Sequence, residues 1–372
     1  MPESDIAGAR LVHSCDDAPG IRRKRVGKGF AYYDPAGARI TDAQVIDRIR
    51  RLAIPPAYTD VWICVNPRGH LQATGRDARR RKQYRYHVNW RVLRDRDKFE
   101  RLAEFGALLP RLRRRLRADL GLPGFPRDKV LAMVVTLLGD TMGRIGNEEY
   151  ARTNGSYGLT TLRVRHLAFP RGEQPRLRFR GKGGRMHELA VGDARLARLL
   201  RRCQQLPGQA LFQYVDDAGE IQPIDSGMVN DYLQQAMDKD FSAKDFRTWG
   251  ATTLAAAGLA RVEVPRSERA RTSVISEVIR NVADVLGNTP AICRKSYIDP
   301  GVFDAWIDGR IARVVDRYGI RATRGSVEKL MLRLLRLRSA TRSTAKRKST
   351  GDSSRPRMQR ARRSAPPARK KA

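Results

Sequence analysis

Apolar positions along the chain follow two different periods. In the first 120 residues they fall in short segments broken by turns. Gly29–Tyr33, Val61–Val65 and His70–Thr74 are strand-like, and Pro67-Arg68-Gly69 between the last two predicts a hairpin. A very basic stretch from roughly Tyr84 to Leu120 is expected to be helical, until Gly121-Leu122-Pro123-Gly124-Phe125-Pro126 breaks it and marks a domain boundary. Asp128 predicts the N-cap of the next helix, which carries Leu131, Val134, Val135, Leu138 and Met142 at helical spacing. Three strands should follow. Leu162 and Val164 alternate with Arg163 and Arg165, and Leu177 and Phe179 with Arg178 and Arg180. Met186–Val191 comes after the tight Gly181-Lys182-Gly183-Gly184 turn. From Asp193 to about Tyr318 the period is mostly helical, and a last amphipathic helix from Ser326 aligns Val327, Leu330, Met331, Leu334 and Leu335.

These patterns predict an α+β protein. A small β-rich N-terminal domain spans 1–121, and a mainly α-helical domain with a three-stranded antiparallel sheet spans 122–338. Residues 339–372 form a basic tail without apolar periodicity and are expected to be disordered.

Composition adds a partner. The 372 residues are 41% hydrophobic, enough for a real core, yet 74 Lys+Arg against 39 Asp+Glu leave a net charge of +35. Residues 341–372 hold 12 Lys/Arg against Asp352, so +24 remains on the first 340 residues. The folded part is therefore basic in its own right, which points to nucleic acid rather than to a small metabolite. Four dispersed cysteines without a CxxC pair argue against a disulfide framework or zinc knuckle. No GxxxxGK[ST] occurs, so neither a nucleotide nor another cofactor is expected. The longest apolar stretch, around Val130–Leu138, is too short for a bilayer, and no signal-like segment opens the chain. A cytoplasmic, nucleoid-associated protein is expected.

The segment Gly75-Arg76-Asp77-Ala78-Arg79-Arg80-Arg81-Lys82-Gln83-Tyr84-Arg85-Tyr86-His87 interleaves cations with aromatics. Arg76 and Lys82 suit phosphates, while Gln83, Tyr84 and Tyr86 can reach sugars or base edges. Four further pieces stand out: DTMGRIGNEEY with Arg144, FRGKGGRMHE with Lys182, KDFRTWG with Lys244 and Arg247, and LGNTPAICRKSYI with Asn288 and Tyr297. His166 and His187 sit in strand-like segments beside these pieces and are expected to be structural.

Together and in this order, the four pieces and the basic–aromatic block resemble the type IB DNA topoisomerases, in their small bacterial and poxvirus branch, over about residues 20–320. The resemblance implies relaxation of supercoiled duplex DNA without ATP or metal. It also implies a transient single-strand cut through a 3′-phosphotyrosine, strand swivelling and religation. Tyr297 would be the nucleophile; Arg144, Lys182 and Arg247 match the other catalytic positions, and Lys244 a lysine that assists the leaving group. Gln83, Tyr84 and Tyr86 fall where the family touches the duplex. A monomer whose two domains clamp the DNA is implied as well. Asn288 departs from the pattern, since poxvirus and eukaryotic members carry His there; an amide can donate to a phosphoryl oxygen but cannot gain charge.

The chemistry of the residues fits the same roles. A phenol is a poor nucleophile at its ordinary pKa of about 10, and neighbouring cations favour the phenolate. Arginine forks suit the non-bridging oxygens of a phosphorane, and a lysine on a hairpin turn suits a general acid. Tyrosine recombinases and integrases share the order Arg, Lys, Arg, Tyr, but usually place His where this chain has Lys244. A non-enzymatic, chromatin-like DNA binder would explain the charge and not the coincidence of motifs.

Overall fold

The computed structural model describes residues 11–27, 29–78, 80, 82–90, 98–319 and 323–350. They belong to two compact units, 1–101 and 102–372.

The first unit is built on a five-stranded antiparallel sheet in the order β2-β1-β3-β4-β5. Its strands are β1 (Ile21–Val26), β2 (Gly29–Tyr33), β3 (Thr59–Ile63), β4 (Leu71–Arg76) and β5 (Lys82–Tyr86). Helix α1 (Ala43–Arg51) crosses between β2 and β3, capped by Asp42, whose carboxylate accepts from the Gln44 and Val45 N–H groups. Ile49 of α1 meets Ile21, Val61, Ile63 and Ala73 in the core of the sheet. The expected hairpin is present as β3 and β4, with Ile63 opposite Ala73.

The second unit opens with α2 (Leu102–Asp119) and α3 (Arg127–Thr141). After α4 (Glu148–Asn154) comes a sheet of β6 (Leu167–Ala168), β7 (Arg176–Arg180) and β8 (Met186–Ala190) in the order β6-β7-β8. Helix α5 (Ala194–Cys203) and a small hairpin of β9 (Gln213–Val215) and β10 (Ile221–Pro223) follow. The rest is helical: α6 (Ser226–Met237), α7 (Ala243–Leu259), α8 (Glu268–Leu286), α9 (Pro290–Ser296), α10 (Gly301–Ile307), α11 (Arg310–Tyr318) and α12 (Arg324–Thr350). Helices α3 and α7 are apolar on nearly every side and occupy the centre, as a helix buried all round must be. No described helix is long and apolar enough to cross a membrane.

Five local expectations are corrected. Residues 82–86 form a strand, because Lys82-Gln83-Tyr84-Arg85-Tyr86 alternates beside the open edge of β4; the expected helical character holds at 88–90, at 98–100 and along α2, which buries Leu102, Phe105, Leu109, Leu112 and Leu116. That helix packs on α3, α6, α7 and α12, so the two units divide at Arg101/Leu102, before the Gly121–Pro126 break. Asp128 is not the cap of α3: Pro126 precedes the helix, and Asp128 in its first turn accepts from Arg115 at 2.7 Å. Leu162–Arg165 is not a strand. Its backbone is taken by the 209–211 loop, with Val164 N–H to the Gln209 carbonyl and Leu211 N–H to that of Leu162, and the strand starts at Leu167. The helix expected from Ser326 buries Val327, Leu330, Met331, Leu334 and Leu335 as read, but continues to Thr350, so 339–350 are helical where disorder was expected; residues 351–372 of the expected tail lie outside the described residues.

Helix α2 is tied to α7 through one missing side chain. A Cβ on Gly106 would lie 2.2 Å from Trp249 Cη2 and 2.9 Å from Leu332 Cδ2, while Phe105 beside it meets Phe241 and Phe246 edge-on. Gly106→Ala is therefore expected to overpack this junction and destabilise the second unit by about 1–3 kcal/mol, measured by denaturant unfolding. An unchanged midpoint would contradict this close approach.

Candidate active site

Three segments bring Arg144, Arg247, Asn288 and Tyr297 together. Helix α7 starts at a capping box in which the Asp245 carboxylate accepts from the Ser242 N–H at 2.8 Å and its hydroxyl at 3.0 Å. With the start fixed, Arg247 falls on the buried side and is only 4% exposed. Its guanidinium donates to the carbonyls of Met142 and, at 2.9 Å, of Leu286. Met142 adopts the left-handed conformation (φ 52°) that ends α3, an unusual setting for a non-glycine residue.

Two residues further, Arg144 lies on an irregular stretch held by its backbone. Its carbonyl accepts from the Leu159 N–H at 2.8 Å, and that of Ile145 from the Thr160 N–H at 2.7 Å. The approach is so close that a Cβ on Gly158 would stand 2.5 Å from Gly146 Cα, so only glycine fits.

The third segment is the Leu286-Gly287-Asn288-Thr289-Pro290 turn. Gly287 (φ 63°) stops α8, and the Asn288 N–H reaches back to the Ala283 carbonyl at 2.9 Å. Thr289 then caps α9, with Pro290 at its first position. Asn288 is buried and accepts from Arg144 Nη2 at 2.5 Å. Tyr297 closes α9; its carbonyl accepts from Thr252 Oγ1 of α7 at 3.2 Å, and its ring lies 5.1 Å from the Arg247 guanidinium carbon.

Burial alone would raise the Tyr297 pKa, but Arg247 first, then Arg144 and Lys244, outweigh it and leave the phenol below its ordinary value. Arg144 is lowered by burial and by the like charges of Arg247 and Arg185. Among the described residues, five buried side-chain polar atoms have no hydrogen-bond partner, and three of them are Arg144 Nη1, Arg247 Nε and Asn288 Nδ2. Buried donors are rarely left unpaired, so three in one place mark where an acceptor-rich anion belongs.

Both lysines are exposed. Lys182 stands on the β7–β8 turn, where Gly183 and Gly184 (both φ 78°) allow the chain to reverse, and it lines a cavity shared with Arg144 and Arg247. Lys244 occupies the first turn of α7, and its charge acts on Tyr297. Arg185 is not singled out in the sequence, and His187 is read there as structural. Arg185 donates to the Asn288 carbonyl at 3.0 Å, and His187 lines the Lys182 cavity. In the β7–β8 register His187 stands opposite Phe179, whose ring it stacks on at 5.5 Å.

The basic–aromatic block is in the first unit. Tyr84 and Tyr86 point outward from β5, 47% and 37% exposed, with rings stacked at 6.1 Å. Lys82 lies on the same face and pairs with Asp16 at 2.7 Å. Gln83 is on the opposite face and donates to Asp77 at 3.1 Å. Arg76 at the end of β4 donates to the Arg80 carbonyl at 3.0 Å and pairs with Asp60 at 3.5 Å.

Comparison with known proteins gives these arrangements a family. Residues 87–303 match the family model for the catalytic core of eukaryotic DNA topoisomerase I, and residues 29–77 that for the N-terminal domain of bacterial DNA topoisomerase IB. The chain is 32% identical over 286 residues to DNA topoisomerase 1B of Acanthamoeba polyphaga mimivirus, covering 75% of this chain and 85% of that protein. It is 25% identical over 181 residues to DNA topoisomerase 1 of Mycosarcoma maydis, 44% of this chain and 18% of that protein. A β-rich first unit, a helical second unit and a tyrosine near the buried Arg247 and the half-buried Arg144 thus have one origin: the chain belongs to the type IB DNA topoisomerases.

Proposed function

We propose that this topoisomerase relaxes supercoiled duplex DNA as a monomer through a covalent phosphotyrosine. The observation that carries the reading is the set of three unpaired donors, Arg144 Nη1, Arg247 Nε and Asn288 Nδ2, beside the Tyr297 phenol.

A phosphodiester seated there meets fixed N–H groups at its non-bridging oxygens, where charge grows as phosphorus becomes pentacoordinate. The Tyr297 oxygen, its proton given up to solvent, forms a bond to phosphorus while the P–O5′ bond breaks. The electron pair goes to O5′, which takes a proton from Lys182, with the Lys244 cation nearby; the 3′ end stays on the tyrosine. The free 5′-hydroxyl later reverses each step, so the bond energy is kept and no ATP is needed. Two arginines supply the charge stabilisation, and no step calls for a metal ion. Arg76, Lys82, Gln83, Tyr84 and Tyr86 of the first unit are assigned to duplex contacts. Lys82 exchanges Asp16 for phosphate, and the exposed tyrosine pair meets the sugar–base surface. The expected cellular place is the cytoplasm, on the nucleoid.

Relaxation of a negatively supercoiled plasmid with EDTA and without ATP is the first test. Wild-type protein should relax it and leave a denaturant-stable adduct on the DNA, and Tyr297→Phe should lose both. Strand exchange between two specific sites without relaxation would instead indicate a recombinase.

Asn288→Ala removes an anion donor and also the acceptor that orients Arg144. Single-turnover cleavage should slow by about 10²–10³, the range of one lost oxyanion donor. Asn288→His, which keeps a donor, should remain active. A wild-type rate for Asn288→Ala would end the assignment of that residue.

The lowered Tyr297 phenol also sets a pH dependence. Cleavage should rise with pH as the phenolate forms. Lys244 favours that anion, so Lys244→Ala should move the rise to higher pH; a rate–pH profile that does not move contradicts the assignment.

A further inference from the structure

His187 is wedged into the catalytic site without being needed by the chemistry above. Its ring occupies the space of two absent side chains. A Cβ on Gly181 would lie 2.4 Å from its Cδ2, and one on Gly287 2.4 Å from its Cε1. Gly181 precedes Lys182 on the hairpin turn; Gly287 precedes Asn288 on the turn between α8 and α9. One face of the imidazole stacks on Phe179. No hydrogen bond from either ring nitrogen occurs among the described residues, so the contact is one of shape.

The ring thus touches, at opposite edges, the segment that carries Lys182 and the segment that carries Asn288. The other tie between them is on the same strand side: Arg185 donates to the Asn288 carbonyl at 3.0 Å. Lys182 itself is exposed on a turn containing two left-handed glycines, so its distance from a phosphate at Arg144 and Asn288 depends on how the hairpin is seated. Burial lowers the His187 pKa, and so do Arg144, Arg247 and Arg185, the charged groups that face it.

We propose that His187 is a positioning residue, a wedge that keeps the Lys182 turn in register with the phosphate held by Arg144 and Asn288. The inference rests on the general-acid reading of Lys182. A displaced general acid hurts only while the leaving group needs a proton. A duplex with sulfur in place of the bridging O5′, at a position that the wild-type enzyme cleaves, leaves as a thiolate and does not need one.

Single-turnover cleavage of the oxygen and sulfur duplexes is compared for wild type, His187→Ala and Lys182→Ala, with duplex binding measured alongside to confirm folded protein. Lys182→Ala should lose about 10²–10⁴ on the oxygen duplex and recover on sulfur. His187→Ala should lose at least about ten-fold on oxygen and return to within about three-fold of wild type on sulfur, a partial version of the same pattern. Gly181→Ala, whose new methyl would displace the ring, should behave like His187→Ala. If Lys182→Ala is not rescued by sulfur, the general-acid reading fails. If it is rescued, while His187→Ala either cleaves the oxygen duplex at the wild-type rate or is equally slow on both, the positioning role is overturned.

Discussion

Two like charges, Arg247 against the Tyr297 ring and Arg144 close enough to act on both, are the constraint around which the second unit is arranged. Holding a half-buried Arg144 beside the buried Arg247 is unfavourable, and partial neutralisation by carboxylates would be the ordinary remedy. Here the fixed acceptors are amide oxygens: Met142 and Leu286 for Arg247, Asn288 Oδ1 for Arg144. Neutral dipoles orient the guanidinium groups without cancelling their charge. The field that repels the arginines from each other is thereby left available to a phenolate and to a phosphate.

Helix α7 carries both sides of this arrangement. Its Arg247 is one of the cations, and its Thr252 hydroxyl donates to the Tyr297 carbonyl and accepts from the Asp299 N–H at 3.1 Å. The same helix buries Phe246, Trp249, Ala251, Ala255, Ala256 and Leu259 among its neighbours. Tyrosine and cation are thus referred to one rigid element at the centre of the core, which limits how far either can drift from the other.

The elements with strong periodicity were legible in the sequence: the β3–β4 hairpin, the apolar α3, the β7–β8 pair around the glycine turn, and the buried face of α12. The elements missed are those in which local pattern and partner disagree. Lys82–Tyr86 lies in a basic run that suits a helix, and an open edge of β4 makes it a strand. Leu162 and Val164 alternate like a strand, with Leu162 buried and Val164 half-buried, yet their backbone partners come from a loop some 45 residues on. For the site, residue types in order pointed to Tyr297, Arg144, Arg247, Lys182 and Asn288. The carbonyls of Met142 and Leu286 were invisible, because main-chain acceptors have no residue signature and depend on a left-handed turn and a helix end. His187 was visible only as a strand residue; its role depends on two glycines that are 106 positions apart in the chain and adjacent in space.

Helix α9 is short, with Thr289 at one end and Tyr297 at the other, and both ends are anchored: Asn288 to Arg144 and Arg185, the tyrosine backbone to Thr252. Each helical residue turns the chain by about 100° and advances it by about 1.5 Å. Lengthening or shortening α9 by one residue would leave every side chain in place chemically and swing the phenol by more than a quarter-turn out of the arginine pair. The helix is therefore an angular gauge, and evolution can vary its exposed faces far more freely than its length.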